Sequence, residues 1–293
     1  MRSSSNADPR TAVCRRPVIR RTSPSFYVAA VLAEAKVDSP AANLHDVPSM
    51  TRPIRTVLFD AGNTIVHLDY PFISNVLAEH GCRRTPMEIR IAEYGAKAAI
   101  DRELAPEVST PESVEGLLWP NQDGARPSYF AVAVHNLKIP GSAVEPVLAA
   151  LRQHNEEDCL WRVIADDTVD ALTELRRRGY SLGVVSNADG RIEGDLERRG
   201  LYRYFATVVD SHVVGVEKPA PGIFEIALER MGAHPEEAMY VGDVFAIDVV
   251  GARRAGLEAV LLDTLGRYPG KIDCRCIGKL SDLLDMLPAI VKI

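Results

Sequence analysis

The chain has 293 residues, enough for two ordinary domains or one large one, with 46% apolar and 25% charged residues. That composition excludes a disordered, collagen-like or disulfide-scaffold protein. A net charge of −6 without a basic stripe argues against nucleic-acid binding, and the longest apolar run, Phe26 to Ala33, is far below the roughly 18 residues that span a bilayer.

The charge is uneven along the chain. Residues 1–55 carry nine basic side chains against four acidic ones and are rich in Ser and Pro, which predicts a disordered extension over residues 1–50. Arg20-Arg21 before the apolar run, followed by Ala33-Glu34-Ala35, imitates an export signal. Met50 offers the alternative of a later start. The five cysteines are scattered, with no C-x-x-C pair, so the expected setting is reducing and cytoplasmic.

From Thr56 the run Thr-Val-Leu-Phe-Asp reads as a buried strand feeding the turn Ala61-Gly62-Asn63. The next stretch, residues 70–165, repeats apolar residues at three and four positions (Ile89, Ile91, Tyr94, Ala98; Val144, Val147, Leu148, Leu151). It reads as a helical cap that Pro71, Pro86, Pro106, Pro111, Pro120, Pro127, Pro140 and Pro146 break into short helices. Trp119 and Trp161 are assigned to its core.

Beyond it, helical patterns over Asp166–Arg178, stopped by Gly179, and over Pro221–Met231, stopped by Gly232, alternate with strand-like runs. These runs are Ser181–Ser186, Ala206–Asp210, Met239–Gly242 and Ala259–Leu262. Such alternation predicts an α/β fold with a three-layer, Rossmann-like parallel sheet. Residues 51–69 and 166–293 form this core, and the cap is inserted in it. The Arg-Arg pairs beginning at 198 and 253 read as solvated helix faces.

Polar groups interrupt the runs where strands should end: Asp60, Ser186 with Asn187, Lys218, and Asp243 with Asp248. In a parallel sheet the carboxyl ends of neighbouring strands share one crevice, so these groups converge. Three carboxylates in one cleft need a cation, and oxygen donors without His or Cys suit magnesium better than zinc. Lys218 and Ser186 are then free to hold a charged group such as phosphate, and Asp60 is placed to act as a nucleophile. His67 and Asp69, just past the first turn, are weaker catalytic candidates.

Four segments carry a resemblance: Val-Leu-Phe-Asp60-Ala-Gly62-Asn-Thr64, Val-Val-Ser186-Asn187, Val216-Glu-Lys218-Pro219-x-Pro221-x-Ile-Phe224 and Val-Gly242-Asp243-x4-Asp248. In this order they resemble the haloacid dehalogenase-like hydrolase superfamily over about residues 54–265, with the insert similar to that family's helical cap. The resemblance implies that Asp60 is the nucleophile of an aspartyl intermediate, with Ser186 and Lys218 gripping the transferring group as catalytic residues. It implies that Asp60, the Gly62 carbonyl, Asp243 and Asp248 form a Mg2+ site, and that Thr64, Ser186, Asn187 and Lys218 contact substrate, Thr64 and Asn187 also shaping the loop.

Family phosphatases carry a second Asp two residues after the nucleophile, where this chain has Gly62. Glycine supplies no proton, and such acid-base catalysis is typically worth about 10² to 10⁴-fold. The expected function is Mg2+-dependent hydrolysis of a small phosphorylated metabolite by a monomer or homodimer, without nucleic-acid or membrane partners. A metal-independent 2-haloacid dehalogenase and a non-catalytic phospho-ligand-binding protein are the alternatives.

Overall fold

A computed structural model describes residues 53–105, 129–268 and 272–290. The basic extension, Trp119 and Pro106, Pro111, Pro120 and Pro127 lie outside them.

Six parallel strands form the main sheet in the order β5-β4-β1-β6-β7-β8. Their ranges are β1 (Thr56–Phe59), β4 (Ser181–Ser186), β5 (Thr207–Asp210), β6 (Ala238–Gly242), β7 (Glu258–Leu262) and β8 (Arg275–Ile277). The inner strands are apolar on both faces because both are covered, the pattern that burial on two sides requires. Successive residues alternate between two cores. Val57, Phe59, Leu182, Val184, Met239 and Val241 face one side with α5 (Thr168–Arg177) and α6 (Ile192–Arg198). Leu58, Val185, Tyr240 and Leu261 face the other with α8 (Pro221–Met231) and α9 (Val250–Arg254).

The helical stops behave as expected: Gly179 and Gly232 adopt left-handed backbone at φ 98° and 60°, where glycine carries no Cβ penalty. The three-layer α/β architecture is therefore the one anticipated. Strand β8 was not anticipated, since its Arg-Cys-Ile is too short for an alternation signal and is exposed over Arg275 and Cys276.

Among the described residues between β1 and α5 are four helices, α1 (Tyr70–Glu79), α2 (Pro86–Leu104), α3 (Tyr129–Asn136) and α4 (Gly141–Glu157), around their own apolar core of Ile73, Leu77, Ile89, Phe130, Val147 and Leu151. Three expectations for this stretch need correction. Pro146 does not break a helix; it lies inside the 17-residue α4, where it is exposed. Pro71 and Pro86 instead open helices, in the first turn where a missing N–H costs nothing. Ile91, counted as apolar-face, is 40% exposed, because α2 turns a partly polar face inward.

Finally, Trp161–Val163 is a strand (β3) that pairs antiparallel with His67–Leu68 (β2). This short ladder ties the two chain crossings at the base of the insert, and two- and three-residue strands leave no periodic trace in sequence.

Candidate active site

Strands β4, β1 and β6 are neighbours, so their carboxyl ends put Ser186, Asp60 and Gly242-Asp243 side by side. The Asp60 N–H donates to the Val241 carbonyl at 2.8 Å, which carries the β1–β6 pairing one residue into the turn. Asp60, Asp243 and Asp248 offer carboxylate oxygens all within 4.8 Å of one another. All three are buried, at 7%, 5% and 1% exposure.

Lys218 reaches into the cluster from the loop before α8. Its ammonium donates to Asp60 Oδ1 at 2.6 Å, Asp248 Oδ1 at 2.7 Å and the Tyr240 hydroxyl at 2.8 Å, which uses all three of its donors. Tyr240 donates onward to the Val185 carbonyl at 2.9 Å. Asn187 accepts from the Lys218 N–H at 2.8 Å and donates to its carbonyl at 3.0 Å. Both ends of its amide are thus spent on placing Lys218.

Asp248 sits in a single π-helical turn, Phe245–Val249, a local widening common at functional sites. Its Oδ2 accepts from the N–H groups of Asp243 and Val244 at 3.0 and 2.9 Å. A Cβ on Gly242 would lie 2.3 Å from Asp248 Cγ, so the closeness of this carboxylate requires glycine there.

The turn after Asp60 is held by Asn63, at φ 54°, whose N–H donates to the Val66 carbonyl at 2.7 Å. Thr64 is fully buried, and its hydroxyl has no hydrogen-bond partner among the described residues. Gly62 lies under Trp161: a Cβ there would stand 3.2 Å from the indole Nε1 and 3.3 Å from Cδ1. Trp161 does pack on the helical insert, with ring centroids 5.2 Å from Phe130, but it also covers the turn beside the nucleophile position. Gly62→Asp should therefore displace the indole, and the expected outcome is a shift in Trp161 fluorescence with about 1–3 kcal/mol lost in urea unfolding.

Neither weaker candidate is among the clustered ligand groups. Asp69 caps α1 through the Phe72 N–H at 2.8 Å and pairs with Arg162 at 2.9 Å, a structural use of its charge. Burial, aided by Lys97 and Arg90, drives the His67 imidazole down to about 4.

Besides Tyr240 on β6, the residues that sequence reasoning missed come from α2. Lys97, 2% exposed, donates to Asp243 Oδ2 at 2.6 Å and to Glu93 Oε1 at 3.2 Å. Glu93, 1% exposed, accepts from Asn63 Nδ2 at 3.0 Å. The available signal was the four-residue spacing of Glu93, Lys97 and Asp101 along one side of α2.

The buried carboxylates Asp60, Asp243, Asp248 and Glu93, with Asp101 beside them, outnumber the two buried ammonium groups of Lys97 and Lys218, so the fully ionised set carries excess negative charge. Burial pushes Asp60 up to about 7 and Asp243 up to about 6, against the opposing pull of Lys218 and Lys97. An excess of buried negative charge, presented by clustered carboxylate oxygens with no His or Cys among them, fits a hard divalent cation.

A pH prediction follows from these shifts. Both carboxyls have folded values above the usual 3.8, so the folded chain holds protons that the unfolded chain releases. Their contribution to stability is present at low pH and is lost as pH rises towards 6 and 7. His67, lowered to about 4, works oppositely between there and 6.5. With these two carboxyls and Asp101, which burial raises to about 6, against one imidazole, the Tm of the metal-free protein should fall between pH 5 and 7.5, and added Mg2+ should raise it more at pH 7.5 than at pH 5.

The family model for haloacid dehalogenase-like hydrolases matches residues 54–256. The chain belongs to this hydrolase family. It is 33% identical over 218 residues to the glyceraldehyde 3-phosphate phosphatase of Methanopyrus kandleri, covering 73% of this chain and 86% of that protein. It is 38% identical over 215 residues to the haloacid dehalogenase-like hydrolase domain-containing protein 3 of Homo sapiens, covering 71% and 82%. Among solved structures, the magnesium-bound HAD hydrolase YfnB of Bacillus subtilis shares the fold, with a TM-score of 0.54 at 19% identity over 80% of this chain and 99% of that one. Among the described residues no helix is long and apolar enough to cross a membrane.

Proposed function

We propose that this hydrolase is a Mg2+-dependent phosphatase of a small phosphorylated metabolite, acting through an aspartyl-phosphate on Asp60. The observation that carries the reading is the buried Asp60 carboxylate at the end of a central strand, 2.6 Å from Lys218 and within 4.8 Å of Asp243 and Asp248. The phosphatase relatives from Methanopyrus kandleri and, at 37% identity over 101 residues, the ribulose-1,5-bisphosphate 5-phosphatase of Halopiger xanaduensis support the substrate class.

In this reading an Asp60 oxygen attacks phosphorus and the bond to the leaving oxygen breaks, giving the aspartyl-phosphate. Water then attacks that phosphorus and returns the Asp60 carboxylate with inorganic phosphate. Lys218 holds the attacking carboxylate in place and balances the charge of the phosphoryl group. Ser186, 5% exposed at the end of β4, would hold a phosphoryl oxygen, and the unpartnered Thr64 hydroxyl in the turn after Asp60 is a further donor. Asn187 acts by positioning Lys218. A cation held by Asp60, Asp243 and the Gly62 carbonyl, with Asp248 behind them, would supply Lewis-acid neutralisation of the transferring oxygens.

Gly62 brings no proton, so substrates with a weakly basic leaving oxygen, or with an acid of their own, are favoured. We assign residues 51–69 and 166–293 to the catalytic core and 70–165 to a helical cap that sets specificity. The four cysteines among the described residues are free thiols, which supports a cytoplasmic setting.

The test is phosphate release from sugar, nucleotide and aryl phosphates, with Mg2+ and with excess chelator. Magnesium-dependent release that Asp243→Asn abolishes is the expected result. Chelator-insensitive halide release from 2-haloacids would replace this reading with dehalogenation. Ligand-induced thermal stabilisation without any product would replace it with binding alone.

A further inference from the structure

Helix α2 lays a polar stripe against the core. Glu93, Lys97 and Asp101, at four-residue spacing, are 1%, 2% and 0% exposed, and each is matched across the seam. Asn63 donates to Glu93 at 3.0 Å, Lys97 donates to Asp243 at 2.6 Å, and the Ala246 N–H donates to Asp101 Oδ1 at 2.8 Å. Arg90 and Tyr94, on the same side, meet the Thr264 hydroxyl at 2.6 and 2.7 Å. Buried polar residues of this kind are kept only where partners await them.

Lys97 is the member with no part in the chemistry above. Its ammonium rests on an oxygen of Asp243, one of the carboxylates that would hold the metal. A lysine charge and a divalent cation on one buried carboxylate repel strongly where water cannot screen them. The same repulsion acts on Lys218 at Asp60, but Lys218 is also held by Asp248 and Tyr240. Lys97 instead has Glu93, outside the metal cluster, to retain it, so Asp243 is where lysine and metal compete.

We propose that Lys97 is a built-in counter-ion that exchanges with the metal at Asp243. Without metal it bridges α2 to the core and neutralises the site. When metal binds, Lys97 leaves Asp243, keeping Glu93 as its partner, and the α2 seam loosens over the substrate position. Metal loading and engagement of α2 are therefore antagonistic. This inference rests on the metal site proposed above.

The apparent metal affinity is the intrinsic affinity multiplied by the unlatched fraction of molecules, so removing the latch tightens binding by the inverse of that fraction. Isothermal titration with magnesium chloride on the whole chain should show Lys97→Met binding at least about tenfold more tightly than the native protein. Loss of a positive charge alone would also strengthen binding, so the deciding variant is the double substitution Glu93→Gln with Lys97→Met, which leaves net charge unchanged. It too should bind about tenfold more tightly if the two cations compete for Asp243.

A second measurement needs no variant. Amide hydrogen exchange over residues 93–101 of the native protein should speed up on adding Mg2+, whereas a metal that only rigidified its surroundings would slow it. Native affinity in the double variant, or slowed exchange in α2, overturns the exchange while leaving the metal site standing. Native magnesium affinity in Asp243→Asn overturns the site itself.

Discussion

Asp60→Asn should abolish phosphate release, with kcat falling at least about 10³-fold, the scale seen when a nucleophile is removed and only binding and charge stabilisation remain. The substitution keeps the shape of the side chain and an oxygen that can accept from Lys218. It removes a carboxyl that burial already pushes up to about 7, so at pH 8 the folded chain should be no less stable, as urea unfolding would show. Loss of activity with stability retained is the signature of a chemical role. Turnover at the native rate in Asp60→Asn would place the nucleophile elsewhere and remove the basis for the phosphatase reading.

Lys218→Met has the largest expected effect on stability. The Lys218 side chain is 2% exposed, and its ammonium is shared between Asp60 and Asp248. Removing one partner of a buried ion pair leaves the other charge unpaired, which costs about 3–5 kcal/mol. Here two carboxylates are left, within a cluster that also contains Asp243. Protonation of Asp60 relieves part of this at low pH, so the loss should be greater at pH 8 than at pH 5. Urea denaturation at both values measures it, and a loss under about 1 kcal/mol at pH 8 would show that the ammonium does not hold the cluster together.

Asp60 and Lys218 are separated by 158 positions, yet both were legible as candidates from sequence. Asp60 stands where an apolar run gives way to a charged residue and Lys218 lies shortly after the run Ala206–Asp210, and in a parallel sheet the carboxyl ends of neighbouring strands converge. The same logic found Ser186, Asp243 and Asp248. It could not say which would touch. Only the packed chain shows that Asp248 spends one oxygen on two backbone N–H groups and the other on Lys218, or that Asn187 serves the Lys218 backbone. Tyr240 was hidden in an apolar strand, because an aromatic residue in a buried run reads as core; its hydroxyl is the only sign of a second use.

The contribution of α2 was legible least. Charged residues inside an amphipathic helix ordinarily mark the solvent side, and the four-residue spacing of Glu93, Lys97 and Asp101 is equally that of a solvated face. What reverses the reading is the set of partners on the core, Asn63 from the turn after β1 and Asp243 with the Ala246 N–H from the segment after β6. Trp161 is a similar case. Its apolar body predicts a core position, and only the antiparallel pairing of β2 with β3 brings it over Gly62.

By itself the sequence determined the alternation of strand and helix, the parallel sheet and the identity of the charged residues at its carboxyl edge. These depend on local periodicity and on the rule that burial on both faces makes strands uniformly apolar. The tertiary structure alone decided the inward turn of the polar stripe on α2, the placing of Lys97 on Asp243 and the covering of Gly62 by Trp161. Each is a contact between segments distant in the chain, and a buried charge is tolerated only where such a contact supplies its partner.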